Sequence, residues 1–229
     1  MQIDTFYNFH FAFEEVKPGF KDIHILLKSE NSDASYPVNK AMGEIMFLLE
    51  NNNDINGGFI LRKADEVHLE IGSQIDAYMK GAEYLALFTC TAGAIFTDLS
   101  GRYNQAGDYL EAYIADIIGS LTVENAMDNI QAKLEEEMKA EGLGITNRYS
   151  PGYCNWPVSG QRELFGAMGN IPVKVSLTES CLMLPIKSVS GIIGIGRNLK
   201  KRAYACQICK NKDCIYRKLL HGTSDTHIR

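Results

Sequence analysis

The sequence predicts an α+β domain with a mainly antiparallel sheet and long helices. A helical repeat of apolar residues runs through residues 107–142, and short apolar runs that are typical of strands lie on both sides of it. These strands do not alternate regularly with helices, as the strands of a parallel βαβ sheet would. A chain of 229 residues with 45% hydrophobic residues can bury a core of its own. We therefore expect a single domain over residues 1–229.

The strand predictions rest on apolar continuity or alternation. Tyr84–Thr91 is almost continuously apolar, which is typical of a buried central strand. Val67, Leu69 and Ile71 alternate with polar residues, as in a half-buried strand. The complete set of predicted strands is Asp22–Lys28, Phe59–Arg62, Glu66–Ile71, Tyr84–Thr91, Ile171–Leu177 and Val189–Ile195.

Two helical segments are predicted from apolar spacing. Between Val38 and Leu49, apolar residues recur every three or four positions, which predicts a helix. In the stretch 107–142, an apolar face is predicted for Leu110, Ile114, Ile117, Ile118 and Leu121, and it continues as Met127, Ile130, Leu134 and Met138. The stripe drifts around the helix near Gly119, so a bend and two separate helices are both open.

Charge is distributed unevenly along the chain. The formal net charge is −5, which argues against nucleic-acid binding through net charge. Residues 197–229 carry +7, whereas the residues before them carry −12. The basic, cysteine-bearing extension 197–229 is suited to docking an acidic partner or ligand, although a solvated basic face would have the same composition.

The chain is expected to be cytoplasmic and to make no use of a membrane. Met1–Phe13 lacks the basic and apolar blocks of a secretory signal, and the apolar stretch Tyr84–Phe96 is too short to cross a bilayer. In the cytoplasm, the six cysteines are expected to be reduced thiols or metal ligands.

The loop Arg148–Tyr153 is the first candidate binding site. An arginine can hold a ligand carboxylate through two parallel charge-assisted hydrogen bonds. Pro151 restricts the backbone, Gly152 lets a ligand approach the main chain, and Tyr153 offers a ring and a hydroxyl. Such a loop suits a zwitterionic small molecule that carries an aromatic group, although Pro-Gly-Tyr is also common in plain turns.

Two acidic residues stand out by their positions. Glu124 is the next step along the apolar face after Leu121, so its carboxylate must be paired, lie at the rim or face a ligand cavity. In a cavity it could bind an ammonium or sulfonium group. Glu179 ends the predicted strand Ile171–Leu177, where it could contact a ligand or cap a neighbouring element.

The cysteines of the tail have the spacing of metal ligands. Cys206 and Cys209 are separated by two residues, and Cys214 follows five positions later. Thiolates at this spacing can bind one metal ion, and zinc and an iron–sulfur cluster are both open. A fourth ligand could come from Cys90, Cys154, Cys181, His221 or outside the chain, and three unliganded thiols are the alternative.

Taken together, these motifs resemble one known family. Arg148–Tyr153, Leu177-Thr178-Glu179-Ser180, Met183 and Ser188-Val189-Ser190-Gly191 occur in the order and approximate spacing found in the reactivation domain of cobalamin-dependent methionine synthase. The likeness is clearest from Gly107 to Gly191. The chain lacks the family's early Asp-Trp pair, because its single tryptophan is Trp156.

The resemblance implies a C-shaped α+β domain that binds S-adenosylmethionine along the edge of an antiparallel sheet. It implies that Arg148 binds the methionine carboxylate, that Ser150 gives backbone contacts, and that Gly152 and Tyr153 shape the groove. By spacing, the family's helical acid corresponds to Glu124, and Glu179 belongs to the matching Thr-Glu-Ser segment.

The resemblance also implies a function. The chain would position the methyl group of S-adenosylmethionine for transfer to cobalt during reductive reactivation of a methionine synthase or related corrinoid methyltransferase. A partner protein would supply the cobalamin, and an acidic electron carrier such as flavodoxin could dock on the basic extension. The alternative is a module that senses S-adenosylmethionine or binds a corrinoid protein without catalysing transfer.

Overall fold

The computed structural model describes residues 1–27 and 35–202, and a five-stranded antiparallel sheet lies at the centre of the described fold. The strands are β1 (Phe6–His10), β2 (Asn56–Lys63), β3 (Tyr84–Thr91), β4 (Gly144–Ile145), β5 (Ser176–Leu177), β6 (Met183–Leu184) and β7 (Ser188–Gly196). The strand order in the sheet is β1-β2-β3-β7-β4, and a separate hairpin pairs β5 with β6. The central pair is β3 with β7, which are in register along their full length from Tyr84↔Ile195 to Thr91↔Ser188.

The helices cover the two faces of this sheet. They are α1 (Phe13–Val16), α2 (Phe20–Leu27), α3 (Ser35–Asn51), α4 (Gly72–Met79), α5 (Ile95–Ala106), α6 (Tyr109–Ala140) and α7 (Gln161–Met168). Short 3₁₀ turns lie at Ala64–Glu66 and Val158–Gly160. Among them α6 is the longest element, and it packs on one face of the sheet together with α3 and α5.

Side-chain alternation in β3 separates the two faces. Ala86, Phe88 and Cys90 belong to the apolar cluster that includes α3, α5 and α6. Leu85 and Leu87 belong to a second cluster with α4, α7 and Trp156. We call these the α6 face and the α7 face. Because successive residues of a strand point to opposite faces, a residue's register in β7 decides which face it reaches.

Several predictions from the sequence are confirmed. The strand Tyr84–Thr91 has the bounds that its apolar run predicts, and strands include both Phe59–Arg62 and Val189–Ile195. The helix around Val38–Leu49 is α3. The long helical stretch forms the single continuous helix α6, so the alternative of two helices is wrong.

Other predictions are wrong. Asp22–Leu27 lies in α2, where Phe20, Ile23 and Leu27 have helical spacing, while Lys28 lies outside the described residues. Glu66–Ile71 forms a 3₁₀ turn and a loop, because its apolar residues pack against the α7-face cluster without pairing to a strand. Of Ile171–Leu177 only Ser176–Leu177 is a strand. The sequence analysis also missed the strands β1, β4 and β6 and the helices α1, α4, α5 and α7.

Leu110 is a further correction. Its side chain is 48% exposed, whereas Ile114, Ile117, Ile118 and Leu121 are buried as predicted. Leu110 is the second residue of α6, where the helix has only just begun. The apolar face of α6 therefore starts one turn later than the sequence pattern indicates.

Candidate functional site

The loop that carries Arg148 continues the sheet beyond β4. The Tyr149 amide donates to the Ile192 carbonyl at 3.0 Å, and the Ile192 amide donates to the Tyr149 carbonyl at 2.8 Å. Tyr149 and Ile192 both pack with the α7-face cluster. Because side chains alternate, Arg148 and Ser150 are directed to the α6 face. This pairing therefore places Arg148 opposite α6.

Gly191 is the residue that lets this loop approach β7. A Cβ atom at position 191 would lie 2.2 Å from the Tyr149 carbonyl oxygen, 2.8 Å from the Phe88 ring and 2.9 Å from the Ser150 hydroxyl. A backbone oxygen cannot move aside as a flexible side chain could. The close approach of residues 149–150 to the strand thus requires glycine at this position.

Arg148 binds two carboxylates of α6. Its Nη2 lies 2.8 Å from Asp128 Oδ1 and 3.3 Å from Glu124 Oε2. Glu124 and Asp128 are four residues apart, so their side chains lie on one side of the helix. The Arg148 side chain is 14% exposed, that of Glu124 24% and that of Asp128 65%. Sequence reasoning found Arg148 and Glu124 but missed Asp128, although its spacing of four from Glu124 was a usable signal.

This cluster is suited to a cationic zwitterion. One guanidinium between two carboxylates leaves a local charge of −1. Asp128 is largely in solvent, where an ion pair contributes little, so a ligand carboxylate could take its place on Arg148 at small cost. The carboxylates would then be available to a ligand cation.

Cys90 lies beneath the cluster on the α6 face. Burial and, to a smaller extent, the negative charge of Glu124 together raise the pKa of its thiol to about 12, while the positive charge of Arg148 opposes this shift. The thiol is therefore protonated at neutral pH. Because the thiolate is the nucleophile and metal ligand, Cys90 is unsuited to either role in this state.

The turn after Arg148 places Tyr153 at the surface. Gly152 has φ +95°, and its amide donates to the Trp156 carbonyl at 2.7 Å. The Tyr153 amide donates to the Ser150 carbonyl at 3.2 Å. Trp156 is buried in the α7-face cluster, whereas the Tyr153 side chain is 67% exposed. The tryptophan thus fixes the turn, and the tyrosine ring lies beside it in solvent.

The start of the basic extension packs against the same loop. Asn147 accepts a hydrogen bond from the Arg202 amide at 2.8 Å and donates one to the Arg202 carbonyl at 3.0 Å. The Tyr149 ring stacks on Tyr78 with centroids 5.6 Å apart, and the Arg202 guanidinium lies 4.9 Å from the Tyr78 centroid. The loop and residue 202 are therefore held together.

Glu179 lies in the β5–β6 hairpin, on the side of α7. Its side chain is exposed, and its carbonyl accepts a hydrogen bond from Arg162 of α7. That helix is joined to β7 by the Ser190 hydroxyl, which donates to Gln161 Oε1 at 2.7 Å. The structure brings Arg148 and Glu124 into contact, while Glu179 contacts a neighbouring element, and its role as a ligand contact stays a prediction.

A second cation, missed by the sequence analysis, contacts α6 one to two turns before Glu124. Lys187 Nζ lies 2.6 Å from Asp116 Oδ1 and 3.0 Å from Ser120 Oγ. Its position just before the matching Ser188–Gly191 motif was the only signal in the sequence.

Two surface clefts of the described residues lie away from Arg148 and Glu124. One surface cleft is lined by Met1, Glu83 and Glu141 and their neighbours, and another by Val67, Asp76 and Lys80 and theirs. Neither cleft includes Arg148 or Glu124 among its lining residues. The candidate site is the charged cluster where the Arg148 loop, next to β7, meets α6.

The predicted metal ligands Cys206, Cys209 and Cys214 lie outside the described residues. Within residues 1–27 and 35–202, no group of three or more His, Cys, Asp and Glu side chains could hold a metal ion. Of the candidate fourth ligands, Cys90 and Cys181 are buried, Cys154 is exposed, and His221 lies outside the described ranges.

The fold and the site define an α+β domain with a charged cluster at the margin of an antiparallel sheet. Residues 61–215 match the sequence model of a family described as vitamin B12 dependent methionine synthase, activation domain. The chain belongs to this family, as the resemblance of its motifs predicts. Comparison with curated protein sequences found no significant match.

A solved structure supports the same fold. The crystal structure of the MetH reactivation domain bound to AdoHcy superposes with a TM-score of 0.58 and 15% sequence identity, and covers 87% of this chain and 81% of that chain. The expected α+β fold with its antiparallel sheet is therefore confirmed. In the part of the chain that the structure describes, we find no helix with the length and apolar character needed to cross a membrane.

Proposed function

We propose that this chain binds S-adenosylmethionine and reactivates the cobalamin of a partner methionine synthase or related corrinoid methyltransferase. The observation that carries the proposal is the contact between Arg148 and Glu124, because two residues chosen from different arguments meet at 3.3 Å. Membership of the activation-domain family supports it, as does the AdoHcy bound to the structural neighbour.

Charge matching assigns the two ends of the ligand. S-adenosylmethionine carries a carboxylate, an ammonium and a sulfonium, so its net charge is a single positive one. The Arg148 cluster carries the opposite net charge. Arg148 binds the ligand carboxylate in place of Asp128, and Glu124 faces the cationic groups. The same argument favours the sulfonium ligand over its neutral thioether product, which lacks one positive charge.

The remaining predicted contacts shape the groove. Ser150 presents its hydroxyl next to Gly191, and Gly152 leaves the backbone open to a ligand. Tyr153 supplies an exposed aromatic ring within the Arg148 loop. Glu179 would contribute from the β5–β6 hairpin.

The chain's contribution to the reaction is positioning. With one electron from an external reductant, the partner's cobalamin would accept the methyl group of S-adenosylmethionine, and S-adenosylhomocysteine would be the leaving group. The cobalt is the nucleophile, so no side chain needs to act as a base. Holding the methyl group over the metal supplies the orientation that makes the transfer effectively unimolecular.

Titration calorimetry with S-adenosylmethionine tests the binding step. Arg148→Met should lose about 2 kcal/mol or more of binding free energy, as expected for charged hydrogen bonds, and Arg148→Lys should recover only part of it. Lys201→Met is the matched control, since Lys201 forms an exposed pair with Glu135 on α6. An undetectable interaction with the wild-type chain contradicts the proposal.

A methylation assay separates catalysis from sensing. The chain is mixed with S-adenosylmethionine, a reductant and a cob(II)alamin-loaded corrinoid protein, and methylcobalamin is followed by its absorption spectrum. Its formation, and its loss with Arg148→Met, supports reactivation. Binding without methylation supports the alternative of a non-catalytic module that senses S-adenosylmethionine or binds a corrinoid protein.

The extension is assigned a supporting role. We propose that residues 1–229 form one cytoplasmic domain, in which Cys206, Cys209 and Cys214 bind zinc or an iron–sulfur cluster. With an iron–sulfur cluster the chain itself would relay the electron, and with zinc an acidic carrier such as flavodoxin would deliver it. Anaerobic metal analysis and a visible spectrum distinguish the two, because a colourless protein with stoichiometric zinc excludes the relay.

A further inference from the structure

The Lys187 side chain is held against α6 by hydrogen bonds to two residues of that helix. Its Nζ donates to Asp116 Oδ1 at 2.6 Å and to Ser120 Oγ at 3.0 Å. The Lys187 side chain is 8% exposed, whereas that of Asp116 is 51% exposed. A buried ammonium thus fixes one oxygen of a carboxylate whose side chain is half in solvent.

The backbone and stem of Lys187 are fixed as well. The Ala92 amide donates to the Lys187 carbonyl at 2.8 Å. A Cβ atom at Gly119 would lie 3.0 Å from Lys187 Cγ and 2.6 Å from Phe96 Cβ. The aliphatic part of the Lys187 side chain therefore packs closely against α6 at Gly119, where there is no side chain. The ammonium is therefore placed by packing, and the pair with Asp116 has a defined geometry.

This pair and the Arg148 cluster lie along one row of α6. Asp116, Ser120, Glu124 and Asp128 are each four residues apart, which places them along an inclined ridge of the helix. From Asp116 to Glu124 the helix rises about 12 Å. Lys187 and Arg148 bind the two ends of this row.

The facing strand has a matching spacing. Lys187, Val189 and Gly191 alternate toward the α6 face, and Gly191 adjoins Ser150 of the Arg148 loop. Four residues of extended chain span about 13 Å. Between the two cations lies Val189, which is only partly buried. The strip therefore has a charged cluster at each end and an apolar middle.

We propose that the Asp116–Lys187 pair binds the ribose hydroxyls of the S-adenosylmethionine whose carboxylate is held by Arg148. This assignment rests on the proposed function. The pair is neutral overall, which suits an uncharged sugar, whereas the Arg148 cluster is anionic, which suits the cationic amino-acid end. The second oxygen of Asp116 accepts a hydrogen bond from one hydroxyl of the diol, and the ammonium donates to the other.

The ligand has the length that this strip requires. The methionine carboxyl carbon and the ribose 3′ oxygen are joined by about eight single bonds, which extend to about 10 Å at ordinary bond lengths. The hydrogen bonds at each end add to this reach. An extended ligand thus spans from Arg148 to Asp116, with its sulfonium near Glu124.

Calorimetry with Asp116→Asn and Lys187→Met tests the assignment. Each variant should bind S-adenosylmethionine about tenfold more weakly, as expected for loss of one charge-assisted hydrogen bond. The double variant should lose little more than either single variant, because the two residues act as a pair. Glu137→Gln, an exposed carboxylate further along α6, is the matched control and should bind as the wild type does.

Partial ligands show which end is affected. We use 5′-deoxy-5′-methylthioadenosine, which has the ribose but no amino acid, as a competitor of S-adenosylmethionine. Asp116→Asn should weaken this competitor about as much as it weakens S-adenosylmethionine, while Arg148→Met should leave the affinity of the competitor unchanged. Thermal melting of each variant shows that the fold is retained.

The outcomes keep the two proposals apart. If the wild-type chain binds S-adenosylmethionine and both variants bind it within twofold of wild type, the ribose assignment is wrong and the proposed function stands. If Asp116→Asn weakens S-adenosylmethionine but not the nucleoside competitor, the assignment is also wrong. If the wild-type chain does not bind at all, the proposed function itself fails.

Discussion

The two faces of the sheet use polar groups differently at the β7 edge. On the α7 face, Ser190 and Gln161 are buried and satisfy one another through a neutral hydrogen bond of 2.7 Å. On the α6 face, Arg148 and Lys187 pair with carboxylates that remain partly exposed. The Ser190–Gln161 pair is complete within the protein, whereas the α6 face keeps charged groups that a ligand can reach.

The difference indicates where binding chemistry can reside on a small sheet. A buried neutral pair that exchanged partners would leave an unsatisfied group behind, which is costly. A partly exposed ion pair contributes little and can be exchanged for a charged ligand. One strand thus carries structural residues on one side and candidate binding residues on the other.

Gly191→Ala should have the largest effect, because it forces the loop away from β7. The added Cβ would meet the Tyr149 carbonyl at 2.2 Å, so we expect a loss of about 3 kcal/mol of unfolding free energy and loss of ligand binding. Denaturant unfolding measures the first and calorimetry the second. Gly166→Ala is the control, since nothing lies within 4 Å of its Cβ and alanine favours helix α7. Equal stability of the two variants would contradict the close approach.

Arg148→Met should cost less stability than Gly191→Ala, and it removes one of the two paired cations of the α6 face. Glu124, 24% exposed, loses its partner, and we expect about 1–2 kcal/mol of destabilisation in urea unfolding. Lys201→Met, which breaks an exposed pair on the same helix, should change stability by less than about 1 kcal/mol. If the two variants are indistinguishable, the Arg148 cluster is not partly buried as described.

Ser190→Ala sharpens the comparison from the other face. It leaves Gln161 without its hydroxyl partner, and we expect about 1 kcal/mol of destabilisation. Binding of S-adenosylmethionine should stay within twofold of wild type, because Ser190 is directed away from α6. Ser159→Ala, at an exposed position, is the control. A loss of affinity as large as that of Arg148→Met would show that the faces are not independent.

Alkaline pH should reveal the smallest effect, at Cys90. Its folded pKa is raised from 9.0 to about 12, so the unfolded chain ionises first. The stabilising contribution is complete below pH 9 and declines as the pH rises toward 12. Cys90→Ala should therefore lose stability less steeply than wild type over this range, as measured by unfolding at several pH values. The pKa of Tyr103 is also raised, by burial and by its hydrogen bond to Glu44. The contribution of Tyr103 to stability should therefore decline in the same way in wild type and in Cys90→Ala.

Cys90→Val serves as the control for that titration. It removes the same thiol with a smaller loss of volume than Cys90→Ala, so the two variants should show the same pH dependence of stability. A steeper or equal decline for Cys90→Ala would contradict the buried thiol.

The sequence predicted the central strands and the long helix because their burial is nearly continuous. Tyr84–Thr91 packs on both faces, so its apolar run could have no other explanation than a buried element. Val67, Leu69 and Ile71 show the limit of that reasoning, since alternating burial without a pairing partner has the same pattern as a strand. Arg148 and Glu124 were found because their signals lie in the sequence itself. Arg148 begins an unusual Pro-Gly-Tyr loop, and Glu124 is an acidic residue on the apolar face of a helix.

Asp116 and Lys187 could not be found in that way, whereas Asp128 shares the helical spacing of Glu124. Asp116 and Lys187 lie in ordinary polar positions, and only the packing of the chain before β7 against α6 brings them together. The sequence shows which residues are present but does not show which of them face each other. That arrangement depends on packing between segments about seventy residues apart, such as those that carry Asp116 and Lys187.

The hydrogen bonds between Asn147 and the backbone of Arg202 give the site a spectroscopic reporter. The Arg202 amide is bonded to the residue next to Arg148, so its rate of exchange with deuterated solvent depends on how firmly the loop is held. Occupation of the loop by a ligand should slow that exchange. A single backbone amide outside the binding contacts can thus register the bound state without any label on the ligand.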